Sequence, residues 1–429
     1  MNSLLRIPYA LAGAVSHALV AAVPAGDSKF RRGLSARRGI VERYTRWAAA
    51  SRDLARPLVW FHAPSVGEGL QALPVIELVR SRRPDVQIAY TFYSPSAEAF
   101  SRSVRADFVD YLPFDTYDDA DAIISALRPT ALVFSKLDIW PALTERAAAG
   151  RVAVGVISAT LPESSGRRGV FARAVLRDAY RSIDRVGAID QNDGERLHEQ
   201  GVPRERIWVT GDTRYDQVWS RAQRPSSAFI QSLRSARPTL VAGSTWPSDE
   251  ENLLPAWSRI RDKIPDARLV IAPHEVSSLH LRSIEAWARA TKLPLARLDA
   301  KNAADADVIL VDRYGILGDL YALADVAYVG GAFHAGGLHS VLEPAAFGVP
   351  ALFGQRHEKS PDASRLIKAG GGADIINATD LSLRLADWLG SLAARDVAGA
   401  RAGEMVQEGL GAAERSFEIV TALLGRPPE

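Results

Sequence analysis

From Leu58 onward, short wholly apolar runs alternate with stretches whose apolar residues recur at helical spacing. Leu58–His62, Gln87–Thr91, Phe108–Leu112, Ala131–Phe134, Val152–Ile157, Arg185–Ala188 and Ile207–Val209 read as buried strands. Gly69–Arg82 and Pro95–Val104 read as helices between them. The polar stretch Trp219–Pro238 reads as a helix or linker. A second series then begins, with strands Thr239–Ala242, Arg268–Ala272, Val308–Val311, Val326–Val329 and Ala351–Phe353. Its helices are Glu250–Lys263, Ser277–Thr291, Leu317–Ala324 and Leu338–Phe347. Strand and helix in strict alternation predict α/β architecture: two doubly wound parallel sheets, each covered on both faces. The pattern divides the chain into an apolar leader (1–26), a first domain (27–218), a linker (219–237), a second domain (238–405) and a last helical segment (406–429) that could return to the first domain.

The leader, Ile7–Val23, is at the lower edge of bilayer-spanning length and is broken by Pro8, Ser16 and His17. A membrane anchor, a signal peptide and a helix lying in the interface all fit it. The segment after it holds nine basic residues (Lys29, Arg31, Arg32, Arg37, Arg38, Arg43, Arg46, Arg52, Arg56) against Asp27, Glu42 and Asp53. That excess suits either an anionic lipid surface on the cytoplasmic side or a solvated helix face. The whole chain of 429 residues carries a net charge of only +2, which does not mark a nucleic-acid binder. It has no cysteine, so disulfides, thiolate metal sites and cysteine nucleophiles are excluded. His334 and His339, five apart among glycines, are weak metal candidates.

In open α/β sheets ligands bind beyond the carboxyl ends of the strands, so the chemistry is sought there. After the first strand comes Ser65-Val66-Gly67-Glu68. Its carboxylate suits either a cleft-facing base or a helix-start cap. In the second series, Gly243-Ser244-Thr245 precedes a helix. Its hydroxyls and N–H groups could take a phosphate, or Ser248 or Asp249 could simply cap that helix. Val326–Gly354 is richer. A strand ends in Gly330-Gly331, a loop carries Gly336-Gly337, and a helix expected to start near His339-Ser340 bears Glu343, whose carboxylate could bind a ribose diol.

These residues, with "DIWPAL" (Asp138–Leu143), "VTGDTRYD" (Val209–Asp216) and "GLSARRG" (Gly33–Gly39), resemble the bacterial 3-deoxy-D-manno-octulosonic acid (Kdo) transferases, which are GT-B glycosyltransferases. The resemblance implies two Rossmann-like domains facing across a cleft and transfer of Kdo from CMP-Kdo to a lipid A precursor at the cytoplasmic face of the inner membrane. Glu68 would be the general base of an inverting reaction. Ser65, Gly67, Arg37, Arg38 and Asp138 would meet the acceptor. Ser244, Thr245, His274, Gly330, Gly331, Gly336, Gly337, His339, Ser340 and Glu343 would meet the donor. No cofactor or metal is expected, since no Asp-x-Asp pair suggests a diphosphate held through a cation. The partners implied are CMP-Kdo, the lipid A precursor and anionic membrane lipid, with no nucleic acid.

Four stretches depart from the family's usual pattern. Its Glu-rich E-x-E-x-W-P reads Ser135–Pro141, and its Asn-Ala-Arg turn reads Ser158-Ala159-Thr160. Its Pro-Arg-His reads Pro273-His274-Glu275, and its Gly-Gly-His-Asn reads Gly337-Leu338-His339-Ser340. Arg313, His274 and Lys359 are candidates to replace the lost cation. The departures keep two alternatives open: a GT-B enzyme with another nucleotide sugar or acceptor, and a non-catalytic protein on the same fold. A dinucleotide oxidoreductase is disfavoured, because no Gly-x-Gly-x-x-Gly follows a first strand.

Overall fold

The computed structural model describes residues 3–163, 165–224 and 226–425. The chain forms two compact units, Met1–Gln217 with Leu410–Glu429, and Val218–Gly409.

The first unit is built on β1 (Leu58–His62), β2 (Gln87–Phe92), β3 (Phe108–Tyr111), β4 (Ala131–Ser135), β5 (Ala153–Ala159), β6 (Arg185–Ala188) and β7 (Ile207–Val209). They form one parallel sheet in the order β3-β2-β1-β4-β5-β6-β7. Every residue of β1, β2, β4 and β5 is buried, as expected of a parallel sheet with helices on both faces. The strand order reverses between β1 and β4, which pair directly from Val59↔Ala131 to His62↔Phe134. That reversal opens the crevice at the strand ends where such sheets bind ligands.

The second unit repeats the plan with β8 (Thr239–Thr245), β9 (Arg268–Pro273), β10 (Leu295–Arg297), β11 (Val308–Leu310), β12 (Val326–Val329), β13 (Ala351–Gly354) and β14 (Gly372–Ile375). Its order is β10-β11-β9-β8-β12-β13-β14, all parallel, with the reversal between β8 and β12. The edge strands β10 and β14 were not expected from the pattern. Both are short, and β14 opens on the glycine run Gly370-Gly371-Gly372, which masks its apolar signal.

The stretch expected as a linker is largely helical. The helix Thr213–Gln223 runs into it, and Ala228–Ser232 forms a second short helix. The last helix, Ala412–Leu424, packs on β5 and on the helix Val66–Arg82 of the first unit. Asp216 secures this return by accepting from the backbone N–H groups of Gly411 (2.9 Å) and Ala413 (3.1 Å), which satisfies free donors at the start of that helix. Gly155 has no side chain because a Cβ there would lie 2.4 Å from Leu423 Cδ1.

The leader forms a helix, Ser3–Ala22, with Pro8 in its first turns. One face docks on the first unit. The Tyr9 hydroxyl donates to Asp115 (2.5 Å), His17 Nε2 lies 2.8 Å from Asp119, and Gly13 abuts Thr116 closely enough that a Cβ would sit 2.5 Å from its methyl. The other face exposes Ile7, Leu11, Val15 and Leu19 at four-residue spacing. Among the described residues no helix is long and apolar enough to cross a membrane, so the spanning-anchor expectation is not met.

The basic segment after the leader is mostly structural. Arg37 donates to the carbonyls of Leu112, Gly33 and Tyr93, and Arg38 to those of Val20 and Val23. Arg43 pairs with Asp110, while Arg52 and Arg56 cap further carbonyls. Lys29, Arg31, Arg32 and Arg46 stay exposed, as does Phe30.

Candidate functional site

Ser65 is the last non-helical residue before the helix Val66–Arg82, so Glu68 sits in that helix's first turn directly beyond β1. The sequence Ser-x-x-Glu is that of a reciprocal capping box, in which the hydroxyl would bind a free helix N–H. Here the Ser65 side chain caps nothing; its hydroxyl donates instead to the Glu68 carboxylate. The other carboxylate oxygen lies 3.5 Å from Lys136 Nζ, just beyond β4. The Ser135 hydroxyl donates to the Glu68 carbonyl (2.8 Å), tying the ends of the two strands that flank the switch point. Gly67 does not make the turn. It is helical, and a Cβ on it would meet nothing nearer than Ser65 Oγ at 3.8 Å. The glycine that packing demands is Gly69, where a Cβ would sit 2.4 Å from Phe100 and 2.7 Å from the Tyr90 hydroxyl.

Glu68, Lys136, Asp138, Thr160, Ser165 and Arg167 line a pocket of about 220 Å³ in the first unit. Asp138 accepts from Arg167 (2.9 Å) and from Trp140 Nε1 (3.1 Å). Burial alone would raise its carboxyl; the His62 side chain and the Arg167 guanidinium outweigh burial and hold it below the usual carboxylate range. His62 is wholly buried, and desolvation pulls it below the usual imidazole range. Its Nε2 lies 3.1 Å from the Trp140 indole nitrogen and its Nδ1 3.0 Å from the Thr91 hydroxyl.

Arg37 and Arg38 do not reach this pocket. Arg37 is buried, its donors are taken by three carbonyls, and its guanidinium lies 4.1 Å over the Tyr93 ring, which stacks on Trp140. It is a foundation under the pocket, with burial pulling its pKa down. Arg38 caps the carboxyl end of the leader helix, where a cation meets the helix dipole. Sequence reading missed Lys136 and Arg167. The first was visible only as an absent acid, and the second lies in a loop with no motif.

In the second unit, the ends of β8 and β12 flank the switch point. Gly330 allows their close approach: a Cβ there would lie 2.2 Å from the Ser244 carbonyl oxygen. Gly331 has φ 101°, and a Cβ on it would meet the Gly337 carbonyl at 2.2 Å. These two glycines are demanded by packing, whereas Gly337 (φ 88°) has open space around it. Thr245 is buried and its hydroxyl donates to Glu250 (2.8 Å), so it is not free for a phosphate. Asp249 accepts from the N–H groups of Trp246 (2.9 Å) and Gly331 (2.8 Å), reaching back from the first turn of the helix Pro247–Lys263 to its N-cap residue Trp246.

Around these strand ends stands an aromatic column not foreseen in the sequence. Trp246 stacks on His274 (4.5 Å) and on His334 (4.0 Å), and His339 stacks on His274 (4.6 Å). Burial and the neighbouring imidazoles pull His339 down to about 4, which keeps it neutral at pH 7. The pairing of His334 with His339 as metal ligands is not seen: among the described residues no group of three or more side chains gathers as for a metal.

The helix expected from residue 338 is only Leu342–Ala346. The chain before it is loop, with the His339 N–H bonded to the Gly330 carbonyl (3.1 Å). Ser340 is exposed just before it. Glu343 lies 3.6 Å from the Arg221 guanidinium, and burial raises its carboxyl more than Arg221 lowers it. Of the proposed substitute cations, Arg313 is held by Asp299 (2.9 Å), Lys359 is exposed beyond β13, and His274 alone belongs to the column.

The family model described as 3-deoxy-D-manno-octulosonic-acid transferase matches residues 34–217. The 3-deoxy-D-manno-octulosonic acid transferase of Chlamydophila psittaci is 30% identical over 74% of this chain and 74% of its own. That of Haemophilus influenzae is 26% identical over 91% of this chain and 92% of its own. Among solved structures, the UDP-GlcNAc 2-epimerase of Neisseria meningitidis bound to UDP-GlcNAc superposes with a TM-score of 0.63 at 13% identity, covering 86% of this chain and 99% of that one, a likeness of fold alone. Two tandem Rossmann-like units, a carboxylate at the first switch point and this extent of similarity lead to one assignment: the chain is a divergent member of the Kdo transferase family, with the GT-B fold.

Proposed function

We propose that the protein transfers Kdo from CMP-Kdo to a lipid A precursor with inversion at the sugar, Glu68 acting as general base. The observation that carries this reading is the state of the Glu68 carboxylate. It is released from the capping role its sequence context offers, lines the first unit's pocket and is aimed by the Ser65 hydroxyl. A carboxylate so placed can take the proton of an attacking hydroxyl. Ser65 and Asp138 would orient the acceptor. The departing CMP would be held by the second unit through Ser244, the loop Gly336–Ser340, His274 and His339, with Glu343 on the ribose. Preorganised dipoles stabilise such a leaving phosphate without a metal.

The test is incubation with CMP-Kdo and a tetra-acylated lipid A precursor. A product heavier by one Kdo residue is expected, in equal yield with and without a chelator. Absence of product, or a strict need for a divalent ion, goes against the reading. The substitutions at Ser158–Thr160 and Pro273–Glu275 favour one rival, a different nucleotide sugar. Tighter binding of UDP or ADP than of CMP would select it.

The exposed stripe of the leader helix suits an interfacial location at the cytoplasmic face of the inner membrane. Ile7, Leu11, Val15 and Leu19 would enter the lipid while Lys29, Arg31 and Arg46 meet anionic headgroups. Burying one such side chain is worth about 1.5–3 kcal/mol. Leu11→Asp combined with Val15→Asp should therefore lower partitioning onto anionic vesicles about tenfold or more, as read by flotation. Unchanged partitioning would exclude this face.

A further inference from the structure

Six non-glycine residues among those described have positive φ. Arg128, Arg151 and Lys292 lie just past helix ends, where the left-handed conformation commonly terminates a helix. The other three, Lys136 (φ 65°), Ser158 (φ 50°) and Ser244 (φ 54°), lie at the carboxyl ends of β4, β5 and β8. Ser158 is buried and exchanges a hydroxyl hydrogen bond with Thr213 (2.7 Å), so its conformation serves the fold. Lys136 has no such partner. Its N–H continues the ladder to Ile157 (2.8 Å) while the turned backbone directs the side chain to Glu68.

Glycine would fit that backbone without steric strain, so a lysine there points to use of its side chain. Stability does not explain it. The Lys136 side chain is 44% exposed and its ammonium stands 3.5 Å from the carboxylate, and so loose an ion pair contributes little. The pocket it lines holds two cations, Lys136 and Arg167, and two carboxylates, Glu68 and Asp138. Arg167 is committed to Asp138 at 2.9 Å. Lys136 is therefore the cation that can be drawn away, and the Thr160 and Ser165 side chains border the same space.

We propose that Lys136 is a specificity-determining counterion: in the free protein it neutralises Glu68, and an anionic group on the acceptor sugar, a phosphate or a carboxylate, takes over the ammonium and leaves the carboxylate free to accept the hydroxyl proton. This rests on the reading of Glu68 as base. No covalent bond to Lys136 forms, and the proton moves only from acceptor hydroxyl to Glu68. An acceptor without the anion leaves the ion pair closed.

Calorimetric titration of the full-length protein with glucosamine 6-phosphate, glucuronate and glucosamine tests the anion site without any turnover. At least one anionic sugar should bind tenfold or more tighter than the neutral one, phosphate and carboxylate arms identifying which group is taken. Lys136→Met should bring the ratio to within about twofold, and Lys136→Arg should restore it. Lys136→Gly, which relieves the backbone, should melt no lower than the parent yet lose the same preference, so a folding defect cannot mimic the result. In transfer assays the preference for a phosphorylated over a dephosphorylated acceptor should appear in kcat/KM and vanish in Lys136→Met. Equal binding of charged and neutral sugars by the parent, or a preference that survives in Lys136→Met and Lys136→Gly, overturns the proposal while leaving Kdo transfer standing. Lys136-dependent binding with no transfer from CMP-Kdo supports the anion site and removes the Kdo reaction instead.

Discussion

Glu68→Gln should lower the turnover of sugar transfer by about 10²–10⁴, the contribution of a positioned general base, while leaving CMP binding within about twofold of the parent. Glutamine keeps the shape and can still accept from Ser65, so the pocket is not remodelled. It cannot take the acceptor's proton. The competing role, a carboxylate serving only the helix start, makes the opposite forecast. Losing a first-turn charge costs about 0.3–1 kcal/mol and would appear as a lower melting temperature with near-normal turnover. In the structure the Ser65 side chain makes no cap bond, and the Glu68 carboxylate is shared between Ser65 and Lys136. Product formation by mass and melting of the same preparation decide it. A Glu68→Gln enzyme turning over at the parent rate would remove the base from the mechanism.

The reasons some features were legible and others not are physical. β1, β6, β7 and β12 have the bounds their apolar runs suggest; for β1 and β12 this is because a strand buried on both faces leaves a continuous hydrophobic signature. Glu68 was visible because strand, turn and helix follow each other locally. Arg37 was misread because its partners are carbonyls of Tyr93 and Leu112, brought to it only by folding. A basic run gives no sign of which cations are spent in this way. Thr245 failed likewise, its hydroxyl being claimed by Glu250 once the helix formed. The helix over 338–347 shrank because the loop spends the His339 N–H on the Gly330 carbonyl. The positive φ of Lys136 has no sequence signal, since glycine is the residue that announces such a conformation.

The glycines of the second unit were legible as a group but not in their separate duties, and here the largest effect on stability is expected. In Gly330→Ala the new Cβ would lie 2.2 Å from the Ser244 carbonyl oxygen, 2.7 Å from its carbon and 2.8 Å from Thr245 Cα. All three atoms are backbone, so no rotamer relieves the overlap. β8 and β12 must part where Gly243 and Val329 are in register. Overpacking of this kind costs about 1–3 kcal/mol, and more where nothing flexible can give. The same movement pulls on the Asp249–Gly331 bond (2.8 Å) and the His339–Gly330 bond (3.1 Å), which hold the loop beside the Trp246 column. A melting temperature lowered by several degrees and CMP binding weakened tenfold or more should therefore appear together. Gly337→Ala is the control. Its Cβ meets nothing within 4 Å, so only the φ of 88° is penalised, about 1–2 kcal/mol. Thermal melts and CMP titrations of the two variants side by side settle the assignment. If Gly330→Ala proves as stable as Gly337→Ala and binds CMP as well, the strand ends are not locked together at this point, and the loop owes its position to other contacts.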